Sequence, residues 1–544
     1  MEEIKIALSK NQRISLFVVL ILTFIVPTVA AANPYLIFHL DAVSAHDFYR
    51  ELEEGNLPNI EALFEGGIQI KHGLSLYPGG TEMIYPRLKS GTGNHEGGSI
   101  SWGYLDREAD QLVSEPQVFL DLVRQFPRRS QSFFLYGIPV FHHLAELSLL
   151  NVKDILDTYG FAEVLWFHTD VVGHLLGPKA HLQSVYSFDR AIGNFLPVDQ
   201  LDQVNIILYA DHGMSFGDIE LIDLKAIFKK TLGEYRFYSY PNVYLNEEVN
   251  KAEKAQELVA NGIDFVFYRL GDTVIAHHSQ GTFALNGQDG KVSYTYSGED
   301  PFDYYINGYS GEFLSSEEWL ELTKHLRFPA APPNIYNYLH NPNVGDFVVS
   351  LIAPKLPATI RANAGNHAGL LHSDLLVPVL FKGPDLQHLE DLEHLWLHDL
   401  YSVYVSDIDF SYVPKREANS LTFFGFGSEY PGVGLQHSAK YRLRGELFAV
   451  PTQQTRIGFE YDVFSSFLSR NWLGIGAQFA GNASGFYLQV TNDVQLGRLS
   501  ASSKFMYFPA QKTWECLHTL AYRIKPQLSA VWNIGKGIGL KYVW

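Results

Sequence analysis

The sequence predicts an α/β doubly wound, mostly parallel sheet with an inserted cap region, followed by an all-β C-terminal domain. Three observations carry that prediction. From about residue 33 to 410, short apolar runs alternate with helix-like stretches, as parallel strands covered on both faces require. Three of the four runs end in aspartate, and ligands of such sheets sit at the carboxyl ends of the strands. After about residue 415 the hydrophobic period changes to two, with no convincing helix. At 544 residues the chain is also too long for one ordinary domain.

The elements follow in order. Lys5, Lys10 and Arg13 precede SLFVVLILTFIVPTVAAA, which reads as a signal peptide over 1–32, with Ala30 and Ala32 at a small-x-small cleavage site. An uncleaved anchor is the alternative, although the run is short for a span and contains Pro27. No cysteine follows it, which excludes a bacterial lipoprotein anchor. The single cysteine, Cys516, excludes an intrachain disulfide and suits a bacterial envelope. The predicted strands are YLIFHLD (35–41), EVLWFHTD (163–170), NIILYAD (205–211) and LLVPVLFKG (375–383), and LPNIEALFEGG (57–67) and KAEKAQELVANG (251–262) are helical. Between the first two strands lies LYPGGTEMIYPRLKSGTGNHEGG (76–98), a glycine-dense loop around Thr81. Residues 218–345 are rich in aromatics and read as a cap or insert that shapes a pocket, packing being the ordinary role of those rings.

PKREANS (414–420) is the expected linker to a β-domain over 421–544. There, VGLQHSAKYRL (433–443) alternates apolar and polar residues, and TRIGFEYDV, NWLGIGAQFA, GFYLQVT, LSASSKFMYF and KGIGLKYVW repeat the pattern, roughly eight stretches in all. A soluble β-sandwich and an eight-stranded outer-membrane barrel both fit. The last strand favours the barrel, because Ile538, Leu540, Tyr542 and Trp544 alternate to the terminus. A barrel with an even number of strands begins and ends on one side, so the preceding domain is expected in the periplasm. The net charge of −18 argues against a nucleic-acid surface. Asn482 opens a formal glycosylation sequon without meaning in a bacterial protein.

Five pieces of the α/β region carry chemistry. Asp41 ends the first strand and Thr81 sits in the glycine loop. Asp170 and His174 form D-V-V-G-H, Asp211 and His212 form D-H-G, and His367 precedes the last strand. Three carboxylates, three imidazoles and a hydroxyl suit two divalent ions with mixed nitrogen and oxygen ligands, zinc fitting the histidines best. Two ions about 4 Å apart can clamp a displacement at phosphorus.

In order and spacing these motifs resemble the alkaline phosphatase superfamily, and within it the type I phosphodiesterase/nucleotide pyrophosphatase-like branch. LPNIEALFEGG is similar to that branch's helix after the first metal aspartate, and YPGGTEMIYPRLKSGTGNHEGG (77–98) to its nucleophile loop. D-V-V-G-H (170–174) matches D-x-x-G-H, A-D-H-G-M (210–214) its strand-end motif, and GNHAGLLHSDLLVPVLFKGP (365–384) its last metal histidine and V-P strand. The likeness implies an alkaline-phosphatase-like metallohydrolase domain over 33–413. It implies that Asp41, Thr81, Asp211 and His212 bind one metal and that Asp170, His174 and His367 bind the other. It also implies that Thr81 attacks a small-molecule phosphate ester and becomes phosphothreonine. The branch's phosphoryl-holding asparagine has no clear counterpart, with Asn94 a stand-in for it. Glu82 beside Thr81 disfavours dianionic monoesters and tilts the expectation toward phosphodiesters. Monoesterase or phosphonate hydrolase activity, and an inactive envelope barrel, are the alternatives. The absence of C/S-x-P-x-R disfavours a sulfatase, and the lack of several membrane spans disfavours a phosphoethanolamine transferase.

Overall fold

The computed structural model describes residues 33–543 apart from 126–129, 218, 359–363, 411–417, 425–431, 439–441, 451–453, 481–483 and 535–536. The predicted signal peptide, Asn482 and Trp544 lie outside the described residues. From Pro34 onward the chain forms one compact unit.

Its centre is a six-stranded sheet of β1 (Tyr35–Leu40), β2 (Ile68–Leu74), β3 (Phe161–Trp166), β4 (Asn205–Ala210), β5 (Leu376–Lys382) and β6 (His394–Trp396). The spatial order is β6-β2-β5-β4-β1-β3. Every residue of β1, β3 and β4 is buried, which is why each reads as an unbroken apolar run. These three strands are parallel and in register, Leu40 facing both Trp166 and Ala210. Asp41 and Asp211 therefore leave adjacent strands at the same level. β5 departs from expectation, because it runs antiparallel to both β2 and β4. The sheet is mostly parallel, with β5 alone running against the other five strands. Burial on two faces produces the same apolar run in either direction, so composition could not reveal the reversal.

The region between β4 and β5 builds a second, seven-stranded antiparallel sheet over 235–350. Its aromatics join the hydrophobic core of the central sheet. The rings of Tyr294, Phe302, Tyr304 and Trp319 are buried within 6 Å of one another in sequence of contact, which is packing rather than a ligand platform.

The C-terminal part closes into a barrel of ten strands, not eight. They are β7 (Ala418–Phe424), β8 (Gly432–Ser438), β9 (Leu443–Val450), β10 (Gln454–Ser465), β11 (Ser469–Phe479), β12 (Gly485–Leu496), β13 (Leu499–Phe508), β14 (Thr513–Lys525), β15 (Leu528–Asn533) and β16 (Gly537–Val543). β7 pairs antiparallel with β16 and shuts the sheet. Two misreadings explain the shortfall. VGLQHSAKYRL spans two strands, for β8 ends at Ser438 and β9 begins at Leu443, with Arg442 at φ 62 between them. Residues 418–420 of the expected linker already belong to β7. The polarity of the barrel is inverted relative to a sandwich. Along β10, Arg456, Glu460 and Asp462 are buried while Ile457, Phe459, Tyr461 and Val463 are exposed, and β12 alternates likewise. Among the described residues no helix is long and apolar enough to cross a membrane.

Candidate active site

Thr81 is not held in a loop. It is the first residue of α1 (Thr81–Ser90), with extended Gly80 as its N-cap. A helix start leaves its first backbone N–H groups without intrahelical partners and carries positive potential, which suits an anion. The glycines that precede it have a second reason. A Cβ on Gly79 would lie 3.1 Å from the Cβ of His212, so a side chain there would crowd that residue. The Gly79 carbonyl in turn accepts from His367 Nδ1 at 2.5 Å. One stretch thus presents the threonine and orients a candidate ligand.

The Thr81 hydroxyl donates to Asp41 Oδ1 at 3.3 Å and lies 3.4 Å from His212 Nε2. His212 Nε2 is also 3.4 Å from Asp41 Oδ1 and 3.7 Å from Asp211 Oδ2. Next to this group, on α2 (His168–Leu176), Asp170 Oδ1 is 3.2 Å from His174 Nε2 and 3.5 Å from His367 Nε2. The i,i+4 spacing of D-V-V-G-H puts both groups on one helical face. The two clusters meet through the His212 and His367 rings, stacked with centroids 4.0 Å apart. All seven predicted residues therefore converge, and the geometric groupings Asp41–Asp211–His212 and Asp170–His212–His367 each offer ligand atoms close enough for one cation.

The donor chemistry fits metal ions. His174 Nδ1 faces the Gly365 carbonyl, His212 Nδ1 that of Gly213, and His367 Nδ1 that of Gly79. In a neutral imidazole that places the proton on Nδ1 and leaves Nε2 as a lone pair. Three Nε2 lone pairs then point among three carboxylates, with the Nε2 atoms of His174 and His367 only 3.1 Å apart. Asp170 Oδ1 and Asp211 Oδ2 are buried and accept no hydrogen bond. Such a set is repulsive until cations occupy its centre. The charges record the strain. Burial, with Asp211 and Asp170 nearby, pushes Asp41 well above the usual carboxylate range. Burial lowers the His174 imidazole, but the Asp170 carboxylate outweighs it and holds it at about 9, whereas burial beside His212 and His174 drops His367 to about 3.

Several supporting residues escaped the sequence reading. His39 Nε2 lies 3.2 Å from Asp211 Oδ1, and the backbone N–H groups of Ala42 and His212 reach the same oxygen. Together they spend Oδ1 and leave Oδ2 to face the cluster. His181 Nε2 donates to the Ala42 carbonyl and Thr169 Oγ1 to that of Asp41, pinning a turn in which Ala42 takes a left-handed φ of 58. The only hint was His39 itself, a polar residue inside the buried run YLIFHLD. Replacing it with phenylalanine keeps the stack between Tyr85 and Tyr209 but removes the hold on Asp211. His39→Phe is expected to weaken metal binding about 10- to 100-fold, read by competition with a chromogenic chelator.

Asn94 is corrected. Its amide nitrogen, the group that could hold a phosphoryl oxygen, donates to the Tyr77 carbonyl and to Asn334. Asn334 also accepts from Tyr77 N and donates to the Ser75 carbonyl, so the two asparagines are struts of the nucleophile loop. Glu82 is buried, folded back against Gly80, and burial raises it to about 7.

Residues 101–276 match the model of the family described as type I phosphodiesterase / nucleotide pyrophosphatase. No curated protein matches the chain significantly. Among solved structures it is similar to murine ectonucleotide pyrophosphatase/phosphodiesterase 5, at 15% identity and a TM-score of 0.44 over 68% of this chain and 93% of that one. An inactive variant of the same murine protein in complex with AMP (14%, 0.45) and the human protein (14%, 0.41) cover the same shares. The matched residues include Asp170, His174, Asp211 and His212, and over that span the chain is similar to the type I phosphodiesterases/nucleotide pyrophosphatases, hydrolases that act on phosphoric ester bonds.

Proposed function

We propose that the protein hydrolyses phosphodiesters through a phosphothreonine at Thr81, with two divalent cations, zinc by the donor set, held by Asp41, Thr81, Asp211 and His212 and by Asp170, His174 and His367. The observation that carries this reading is the convergence of Nε2 lone pairs and unpartnered carboxylate oxygens around the Thr81 hydroxyl. When bound, the cations supply charge that favours the threonine alkoxide and offsets the negative charge growing on the phosphoryl oxygens. The chain's own residues do the rest. Asp41 Oδ1 takes the Thr81 hydrogen bond and fixes the rotamer from which Oγ1 attacks phosphorus. The positive end of α1 faces the phosphoryl oxygens. Attack of Oγ1 on a diester breaks one P–O bond, expels that alcohol and leaves the phosphoryl group, still carrying its second ester, on Thr81; water then breaks the Thr81 Oγ1–P bond, restores the hydroxyl and frees a phosphate monoester.

Glu82 favours a diester. Its carboxyl is buried at the start of α1, where a dianionic monoester brings one more negative charge than a diester. The AMP bound to the murine relative makes a nucleotide ester a reasonable first substrate class to screen. The test compares p-nitrophenyl phosphate with bis-p-nitrophenyl phosphate, using the full chain in detergent with and without chelator. Chelator-sensitive turnover that prefers the diester supports the reading, and a monoester preference contradicts it. At pH 8 and above, where a carboxyl raised to about 7 is ionised, Glu82→Gln removes the charge, and the ratio of monoester to diester kcat/KM is expected to rise about tenfold, near 1.4 kcal/mol.

We place the barrel in the outer membrane with the α/β part in the periplasm, as its inverted polarity, apolar outside and charged inside, supports. The even strand number puts both barrel ends on the side of the α/β part.

A further inference from the structure

The segment 133–154 is clamped to the barrel rim at both ends. At one end Phe133 meets Phe464 edge-on at 4.8 Å, and the Tyr136 hydroxyl bonds Ser466 at 2.6 Å. At the other, Asn151 Nδ2 donates to the carbonyls of Phe467 and Gln495, its Oδ1 accepts from Gly497 N, and Asp154 pairs with Arg523 at 2.6 Å. These partners sit in or beside the turns from β10 to β11 and from β12 to β13, with Arg523 near the turn from β14 to β15. The α/β part is thus fixed on one end of the barrel, just outside its apolar belt.

What the clamped segment carries in its middle is unusual for a surface. Val140 is 84% exposed, and Phe141 and Leu144 are exposed beside it. The segment 134–141 packs on α2, with His142 stacked on His168 at 3.7 Å. Leu175 lies seven residues from His168, on that same helical face, and it and Leu176 (67% exposed) end the helix. Phe119 extends the patch, its ring edge-on to Phe134 at 6.0 Å. Scattered exposed apolar residues need no cause, but these come from three segments and adjoin the rim. Lys179 follows three residues after Leu176 and Arg190 acts on His142, while Asp121 lies two residues from Phe119 and Glu146 two from Leu144, so the fringe of the patch carries both signs.

We propose that Phe119, Val140, Phe141, Leu144, Leu175 and Leu176 form an apron that seats the α/β part on the lipid bilayer around the barrel, in the boundary between headgroups and acyl chains. The inference rests on the membrane reading of the barrel. A bilayer is the occupant because the segment that carries Val140, Phe141 and Leu144 is clamped at both ends to the rim of a barrel whose outer face is apolar, and because bulky apolar side chains flanked by charges suit the boundary between headgroups and acyl chains. The docking has a consequence for the site. α2 carries Asp170 and His174 and ends in the apron, so the hydrolytic centre is held close to the membrane surface, where phosphodiesters anchored by acyl chains are concentrated.

The test uses the full chain reconstituted in lipid vesicles, with Cys516→Ser and one spin label at a time on Phe119→Cys, Val140→Cys, Phe459→Cys on the barrel's outer face, or Lys229→Cys on an exposed helix. Accessibility to oxygen against a water-soluble nickel chelate reports lipid or water. The expected result is that labels at 119 and 140 match the lipid-facing value at 459 and differ from the aqueous value at 229. Aqueous values at 119 and 140 with a lipid value at 459 overturn the apron and leave the barrel standing. An aqueous value at 459 overturns both. Dipolar broadening at 140 shows a second copy on the patch and overturns the bilayer as occupant. Hydrolysis of a water-soluble diester is measured separately, so a failure of the phosphodiesterase reading leaves the accessibility pattern unchanged.

Discussion

Thr81→Ala is expected to lower turnover of bis-p-nitrophenyl phosphate by at least roughly a thousand-fold, about 4 kcal/mol at the transition state, while metal content changes little. The argument is geometric. Removing Oγ1 deletes the hydroxyl placed between Asp41 Oδ1 and His212 Nε2, yet it leaves both carboxylates and the imidazole that would hold the cation there. Thr81→Ser keeps an oxygen on the same backbone position at the start of α1 and is expected to recover much of the rate. If the alanine variant instead loses metal and activity together, Thr81 acts as a ligand first and its role as nucleophile is unsupported. Rapid-quench labelling with a phosphorus-32 diester separates the two, since only the nucleophile is labelled covalently.

The second large effect concerns the barrel. Phe459 lies in the middle of β10, 64% exposed between buried Gly458 and Glu460. If the outer face meets acyl chains, Phe459→Lys costs about 2–4 kcal/mol in a bilayer. Unfolding from vesicles in urea is the measurement, and the variant's midpoint should fall clearly below wild type. In water the same substitution exchanges an exposed ring for an exposed charge, so a soluble β-domain would gain solubility and lose almost nothing.

The α/β part was legible because its chemistry is concentrated. Buried parallel strands announce themselves as apolar runs, and the aspartates that close β1 and β4 stand where such a sheet displays ligands. Direction within the sheet was not legible, since β5 is buried on both faces whichever way it runs. The helical setting of Thr81 was hidden by its neighbours: Pro78, Gly79, Gly80 and later Pro86 argue for a loop, yet α1 begins at the threonine and tolerates Pro86 inside it. Asn94 was misread because residue type and spacing do not say which way an amide points. His39, His181 and Thr169 act on the ligands rather than among the reacting groups, and no motif marks them. In the barrel, period two was plain, but a tight turn such as the one at Arg442 preserves the alternation across two strands and conceals the count.

The central claim is that seven convergent side chains hold two cations around Thr81. Crystals of the full chain grown with zinc, with diffraction data collected on both sides of the zinc absorption edge, test it most directly. The account predicts two anomalous peaks about 4 Å apart, one within reach of Asp41, Thr81, Asp211 and His212 and the other of Asp170, His174 and His367. A single peak, or none among these residues, would contradict it.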